Sequence, residues 1–327
     1  MKPRVAIIGA GMAGISLASL LNDKYDVTVF ERSRGVGGRF AHRYLHGQSF
    51  DHGVQFFRIF TQTFRDFLQT AQDAGLIQPW AVRFAEIDCN RVERTLDWTT
   101  DSNHWVASPH ATALTEFLSQ SLHVQAEYPI QLMERRHDGW YLMSESVQAG
   151  PFDWCVTATP PANAIAIMSD DIGYRDQLLS KSLLPCYALM LTLNKKFDTG
   201  WQVALVKNSA LSWISHNDSK PGRSASPGLV CLAANQWAKA HFGQSLDIIQ
   251  SNLVSALESI IPGVSSCVDD SYCHRWSYAN IAKQRGPKYF IDTDNQVASV
   301  GDWCIQGRVE AAFLSAHALS EELLKNV

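Results

Sequence analysis

The sequence is poor in charge. Acidic and basic side chains make up 18% of its 327 residues and nearly balance, for a formal net charge of −4. Such a chain offers no basic surface for nucleic acid or for an anionic membrane, and neither partner is expected. Paired cysteines are lacking too. The seven cysteines, at 89, 155, 186, 231, 267, 273 and 304, are odd in number and irregular in spacing, with no CxxC. This argues against a disulfide framework or a zinc site and suits a reducing, cytoplasmic setting. There is no HExxH, no other metal-ligand spacing and no defensible Ser-His-Asp order, and the eleven histidines are scattered. No repeat is found. With 46% hydrophobic residues, twenty glycines and twelve prolines, the chain is neither disordered nor collagen-like.

What is present is room and aromatic mass. At about 100–200 residues per domain the length accommodates two domains. Burying ~75% of its unfolded surface, such a chain folds without disulfides or metal. Ten Trp, nine Tyr and fifteen Phe suffice for an aromatic-lined pocket, although a core would absorb them equally well. Residues 5–22 carry no charge and follow Lys2 and Arg4, in the manner of a signal peptide. Glycines at 9, 11 and 14 interrupt that run, Ser16 and Ser19 dilute it, and no small-x-small cleavage site precedes Asp23. Neither export nor a membrane span is expected.

Those glycines have a better use. Residues 4–8 read as a buried strand, Gly9-Ala-Gly-Met-Ala-Gly14 is GxGxxG, 15–21 suit a helix, and 26–30 form a second strand ending at Glu31. In a dinucleotide site Gly9 permits the tight turn, Gly11 lets backbone approach the pyrophosphate, and Gly14 lets helix and strand pack closely. Met12 and Ala13 open the helix, whose free N–H groups and dipole face the phosphates. Glu31, 22 residues after Gly9, is placed to accept the ribose hydroxyls. A second cluster, Arg32-Ser-Arg-Gly-Val-Gly-Gly-Arg39, is not needed for NAD. It suits a larger dinucleotide, FAD, held from two sides with guanidinium charge toward the pyrophosphate. Arg32, Gly37, Gly38 and Arg39 are its candidate contacts.

The same Arg-x-Arg-Gly-x-Gly-Gly-Arg resembles the second fingerprint of amine-oxidase-like flavoproteins. Asp51-His-Gly-Val-Gln-Phe-Phe57 is similar to the D-x-G-A-Q-[YF]-[FI] segment of that family, which implies Val54, Gln55 and Phe56 beside the flavin ring. Residues 124–130 look like the strand whose backbone meets the adenine, with Ile130 at its end. Residues 154–161, through Thr159, resemble the A-T-P-x-P crossing, a strand stopped by two prolines. Gly301-Asp302 resembles the ribitol-binding motif. Near it Arg308, Val309 and Ala311 open a last helix aimed at flavin N1 and the C2 carbonyl. A helix N-terminus there stabilises negative charge by ~0.3–2 kcal/mol. Glu310 reads as a helix-capping acid turned away from the flavin, toward Arg308.

Beyond the cofactor motifs, residues 301–315 resemble the carboxy-terminal segment of bacterial renalases. The segment 209–221, ending Asn217-Asp-Ser-Lys-Pro221, resembles their middle segment, and Asn235-Gln-Trp237 and His274-Arg-Trp-Ser-Tyr-Ala279 resemble two further blocks. The resemblance spans nearly the whole chain. It implies hydride passing from misreduced 2- or 6-dihydronicotinamide isomers of NAD(P) to flavin N5. NAD(P)+ is then released and dioxygen is reduced to hydrogen peroxide. Two departures fall where the family carries Pro-Gly-Met-Ser, here Pro109-His-Ala-Thr112, and a proline after Trp-x-Tyr-Ala, here Asn280-Ile281.

Oxidising a dihydropyridine to an aromatic cation removes no proton from the reacting carbon, which suits the absence of a recognisable base. Candidate pocket residues are Tyr187, Trp213, Asn217, Lys220, Trp237, Trp276 and Tyr278. The rings would sandwich a nicotinamide, Asn217 would hold its amide, and Lys220 or Arg275 would meet phosphate. Simple core packing is the competing reading of each ring. Cys304 reads as a buried packing residue rather than a covalent flavin link, so the FAD is expected to be noncovalent. Two other functions compete: a different FAD-dependent oxidoreductase, an amine oxidase or desaturase, with Lys283 or Lys288 offered as the flavin-side lysine of an amine oxidase, and a flavin redox sensor without turnover.

Helices are expected over 61–74 and 246–261, strands over 187–193 and 229–234, and a loop bordering the pocket entrance over 215–228. The expected fold class is α/β, a Rossmann-type FAD-binding domain with an inserted, mainly antiparallel sheet-plus-helices substrate domain, as in amine oxidases and p-hydroxybenzoate hydroxylase. The first domain is discontinuous, over 1–57, 106–162 and 290–327, and the second takes 58–105 and 163–289.

Overall fold

In the computed structural model, which describes residues 1–145 and 147–325, the chain begins with β1 (Arg4–Ile8), α1 (Met12–Leu21) and β2 (Asp26–Phe30). A hairpin of β3 (His42–Leu45) and β4 (Gln48–Asp51) precedes α2 (Gln62–Asp73), β5 (Ile77–Pro79), β6 (Val82–Asp88), β7 (Arg91–Trp98) and β8 (Trp105–Ala107). Next come α3 (Ala111–Ser119), β9 (His123–Gln125), β10 (Leu132–Arg136), β11 (Gly139–Met143), β12 (Gln148–Phe152) and β13 (Trp154–Thr157). Helices α4 (Pro161–Ile167) and α5 (Arg175–Leu179) lead to β14 (Leu184–Leu193), β15 (Val203–Lys207), β16 (Leu211–His216) and β17 (Gly228–Ala233). The chain closes with α6 (Asn235–Ala240), α7 (Leu246–Ile260), β18 (Val268–Asn280), β19 (Phe290–Asp292), β20 (Val297–Ser299) and α8 (Val309–Leu324).

The first and last parts of the chain share one sheet of order β19-β20-β13-β1-β2-β9. Every pairing in it is parallel except that of the edge strand β19. Val5, Ala6 and Ile7 are fully buried because both faces of this sheet are covered: Val5 and Ile7 share a core with α1, and Ala6 on the other face shares one with Met133, Trp140 and Leu142 of a three-stranded sheet, β10-β11-β12. Helix α1 lacks a polar face because it lies between this sheet and α8: Leu17, Ala18 and Leu21 share a core with Ala316, Leu319 and Leu323. Strand order turns about β1, with β2 on one side and β13 on the other. The ends of β1 and β13 therefore open onto a crevice, the place where open α/β sheets bind ligands.

The second sheet has order β18-β14-β17-β16-β15-β6-β7 and is antiparallel apart from the β15–β6 pair. Tyr187, Leu189 and Leu191 of β14 pack on Ile249, Leu253 and Leu257 of α7, while Met190 on the opposite face packs on Phe50. Covered on both sides, β14 is apolar almost throughout. Helix α2 starts at an N-cap Thr61 whose side chain accepts from Phe64 N, and buries Phe64, Leu68 and Ala71. Among the described residues no helix is long and apolar enough to cross a membrane.

The loop after β16 does not edge an entrance. It is locked inward by a buried ion cluster in which the Asp51 carboxylate accepts from Lys220 Nζ at 3.1 Å, from Arg223, and from Ala111 N at 2.8 Å. Asp51, Lys220 and Arg223 side chains are at most 2% exposed. Burial works to raise the Asp51 carboxyl, but the two cations and the amide hold it below its ordinary value. Burial, with the charge of Arg223, brings Lys220 down to about 8 against the pull of Asp51. Because the folded-state pKa of Asp51 lies below the unfolded value of ~3.9, its contribution is complete above that pH and is lost as pH falls through the folded value. Asp51→Asn leaves two cations buried with no counter-charge. In urea titrations at pH 7 it should cost roughly 3–5 kcal/mol, with the difference from wild type shrinking as pH falls below the ordinary carboxylate range; a loss under ~1 kcal/mol at pH 7 would contradict this role.

Candidate functional site

A cavity of about 1570 Å³ runs from the turn after β1 to the inner face of the second sheet. It exceeds the ~300–1,000 Å³ of an ordinary small-ligand pocket. At one end lie Gly9, Gly11, Met12 and Ala13. Helix α1 begins there on Gly11 with no side-chain cap, so its first N–H groups are free for a ligand. A Cβ on Gly11 would meet nothing within 4 Å and would enter the cavity, whereas one on Gly14 would sit 1.9 Å from the carbonyl oxygen of Gly9. Gly14 thus serves packing from behind and does not line the cavity. Glu31 lines it, its two oxygens accepting from Ala10 N and Ser33 N, both at 2.9 Å. Each oxygen keeps acceptor capacity for another donor.

The second glycine cluster folds against the first: Gly37 N donates to Ala10 O at 2.8 Å, with φ of +115° at Gly37 and +55° at Gly38. Arg39 does not reach into open space. Its guanidinium donates to Asp302 through both terminal nitrogens and to Ala279 O at 3.0 Å; burial works to lower its pKa, but the charge of Asp302 and the hydrogen bonding to it together raise it. The sequence expectation of Arg39 directed at phosphate is corrected to a clamp that joins three distant segments. Arg32, Gly38, Val54, Phe56, Ile130, Thr159, Gly301, Asp302, Arg308, Val309 and Ala311 line the cavity with Arg39. The expected strand over 124–130 is only three residues long, ending at Gln125. Tyr128, Pro129 and Ile130 reach the cavity from an irregular segment held by Tyr128 N to Glu31 O.

Helix α8 starts at Arg308 without a side-chain cap, which aims a second set of free amides into the cavity. Glu310 also lines the cavity, and its carboxylate is held by a different partner from the expected Arg308. It accepts from Phe60 N, Thr61 N and Thr61 Oγ1 at 2.7–3.0 Å, fastening the start of α2 to that of α8. Thr159 Oγ1 and Tyr128 OH are buried without a partner. Orphans of this kind mark places a ligand would satisfy.

The far wall comes from β18 and from residues 52–58. His274, Trp276 and Tyr278 line it at alternate positions of β18. The Trp276 indole donates to His52 O at 2.8 Å, and the His52 ring lies 5.4 Å from Trp276 and 4.7 Å from His274. Burial, and the neighbouring His274 and Arg43, bring His52 down to about 3. Burial lowers His274 too.

Five of the seven expected pocket residues lie elsewhere. Tyr187 faces the other side of β14 and packs edge-on against Trp237, while Cys186 before it lines the cavity. Trp237 stacks on His241 at 4.2 Å. Trp213 is covered by Phe56, 5.5 Å away, in a cluster with Trp80 and Trp98. Asn217 is buried and donates to Ser49 O, and Lys220 is committed to Asp51. Gln55 is likewise internal, donating to Asp51 O and accepting from Ser215 and Lys220. Lys283 and Lys288 are exposed and do not line the cavity. Cys304 is buried, its thiol pushed up to about 12 by burial, and is likewise absent from the lining.

The cavity also takes lining residues outside those seven. The two-residue spacing of His274 and Trp276 puts both on one face of a strand over 268–280. His42 and Thr112 meet at 2.6 Å, and His42 stacks on His110 at 3.9 Å, so the Pro109–Thr112 departure does border the cavity. So does Asn280, from the second departure.

Residues 7–71 match a family model described as an NAD(P)-binding Rossmann-like domain. Over its whole length the chain is similar to a putative protoporphyrinogen oxidase from Exiguobacterium sp. 255-15, at 10% identity, covering 98% of this chain and 99% of that one, with a TM-score of 0.78. Putrescine oxidase bound to putrescine is similar at 11% identity, 99% of each chain and a TM-score of 0.76. Cyclohexylamine oxidase from Brevibacterium oxydans IH-35A is similar at 12% identity, 99% of this chain and 100% of that one, with a TM-score of 0.71. The chain has the two-domain amine-oxidase fold: a Rossmann-like nucleotide-binding domain and an antiparallel-sheet domain.

The two glycines separate packing from binding. Gly14→Ala should destabilise the free protein by about 1–3 kcal/mol. Gly11→Ala should leave it within about 0.5 kcal/mol while weakening dinucleotide uptake, as read by ligand-induced rise in Tm. Equal effects of both on the unliganded protein would contradict the assignment.

Proposed function

We propose that the chain is an FAD-dependent oxidoreductase whose substrate docks against the wall of His52, His274, Trp276 and Tyr278. The observation that carries this reading is the convergence of two uncapped helix N-termini, Glu31 and the Arg39–Asp302 clamp on one cavity too large for a single small ligand. When bound, FAD would supply the two-electron acceptor for a hydride from substrate carbon, and dioxygen would take the electrons on to hydrogen peroxide. The chain supplies the rest. The α1 amides suit the pyrophosphate, Glu31 retains acceptor capacity for ribose hydroxyls, and the α8 amides favour an anionic ring edge by ~0.3–2 kcal/mol.

For the substrate we infer a misreduced dihydronicotinamide dinucleotide. Histidines held near 3 and 4, as His52 and His104 are, stay neutral through the physiological range and are poorly matched to act as bases at neutral pH. A dihydropyridine needs no such base, because it aromatises by losing hydride alone. The planar wall of Trp276 and His52 suits its ring. Oxidation of an amine is the second reading, favoured by the likeness in fold to putrescine oxidase and cyclohexylamine oxidase. Lys283 and Lys288 do not serve it, since neither reaches the cavity.

Anaerobic mixing of the yellow protein with 2-dihydro- and 6-dihydro-NAD(P), ordinary NADH, putrescine and cyclohexylamine decides between them. We expect bleaching with the dihydronicotinamide isomers, faster than with NADH, at a rate nearly flat from pH 6 to 9. Bleaching by an amine, rising with pH as the amine loses its proton, would establish the second reading instead. A flavin that no donor bleaches would contradict both.

A further inference from the structure

We propose that Arg58 is the anion-binding residue of the substrate site, taking a phosphate carried by the substrate, and that His104 holds it in position. Arg58 lines the cavity and is exposed. One of its terminal nitrogens lies 2.7 Å from His104 Nε2. A guanidinium only donates, so Nε2 must accept and the imidazole is neutral, with its proton on Nδ1. Burial, and the charge of Arg58, bring His104 down to about 4, so it remains neutral at physiological pH. Its ring is fixed by stacking on Trp98, 3.7 Å away and within 4° of parallel, and by Phe56. The Nδ1 atom is buried with no partner. A buried orphan donor is costly, and here it is tolerated where it orients a cation at a cavity.

The choice of partner matters. A carboxylate at this place would cancel the charge of Arg58, whereas a neutral imidazole orients it and leaves the charge available. Among the described residues no ion pair to Arg58 is formed, while Arg39 is already spent on Asp302 and Lys220 on Asp51. The backbone around Arg58 is also rigid. Phe57 and Trp105 exchange two hydrogen bonds of 2.8 Å, the Asn103 amide both accepts from Ile59 N and donates to Ile59 O, and Glu310 holds Phe60 and Thr61. A cation pinned on both sides, unpaired and facing the cavity is preorganised for an anion. This moves the phosphate role from Lys220, which the fold buries, to the residue that follows the Asp51–Phe57 segment; Arg275, the other expected phosphate contact, also lines the cavity, but it donates to Gln244 O at 3.0 Å and lies over the Phe242 ring.

The inference rests on the reading of the cavity as a flavin-and-substrate site, so FAD content is measured first, and NAD+, pyrophosphate and nicotinamide riboside are then titrated calorimetrically into the holoprotein. Arg58→Gln should weaken NAD+ and pyrophosphate roughly ten- to hundredfold, leave nicotinamide riboside unchanged, and keep the FAD content of wild type. Arg58→Lys should recover part of the loss. His104→Phe, which keeps a stacked ring but no acceptor, should follow Arg58→Gln and raise KM more than it lowers kcat. His104→Gln, which keeps an acceptor, should stay nearer wild type. Wild-type NAD+ affinity in Arg58→Gln, an equal loss for the riboside, or a wild-type holoprotein that binds neither NAD+ nor pyrophosphate would overturn the inference. A wild-type protein without FAD would instead contradict the functional reading beneath it.

Discussion

The contact on which the cavity depends is the pair between Arg39 and Asp302, 263 residues apart in the chain. The same guanidinium also donates to Ala279 O at the end of β18. One side chain therefore ties the amino-terminal glycine cluster, the carboxy-terminal Gly-Asp turn and the edge of the second sheet. A planar donor with a fixed fork can serve an acid and a carbonyl together, which a lysine would do poorly. With the clamp closed, the amino ends of α1 and α8 face one space, and the wall of the second sheet completes it. Both halves of the proposed chemistry, cofactor retention and substrate docking, are assembled around this junction.

The rest of the electrostatics follows a division of labour between cations. Lys220 and Arg223 are consumed by Asp51 to fasten the loop after β16 beneath the hairpin. Arg39 is consumed by Asp302. Arg58 alone among these is held by a neutral base. Histidines near the cavity are kept uncharged by burial and by neighbouring arginines, so positive charge at the wall comes from guanidinium groups that do not titrate. A site built this way suits the anionic, planar ligand proposed above, whose oxidation calls for no base.

Much of the nucleotide end was legible from sequence because its constraints are local. Strand, glycine turn, helix and terminal acid all lie within thirty-odd residues, and a helix beginning near Val309 coincides with the start of α8. The helices over 61–74 and 246–261 were legible from spacing alone. The second sheet was not. Strand β14 is apolar at nearly every position, so nothing in Leu184–Leu193 distinguishes the parity that sends Cys186 to the cavity and Tyr187 to α7. Lys220 looked like pocket charge because its partner Asp51 is 169 residues away. The size of Trp213 and Trp237 suits a pocket ring and a core equally, and here both close a core. Arg58 is not marked by any motif because its proposed role depends on His104, 46 residues away.

The measurement that bears most directly on this account is the FAD affinity of wild type, Arg39→Ala, Asp302→Ala and the double variant. If the pair closes a flavin cavity, wild type binds FAD tightly, each single variant loses affinity, and the double variant loses little more than either. Losses that simply add, or a wild type with no affinity for FAD, would contradict it.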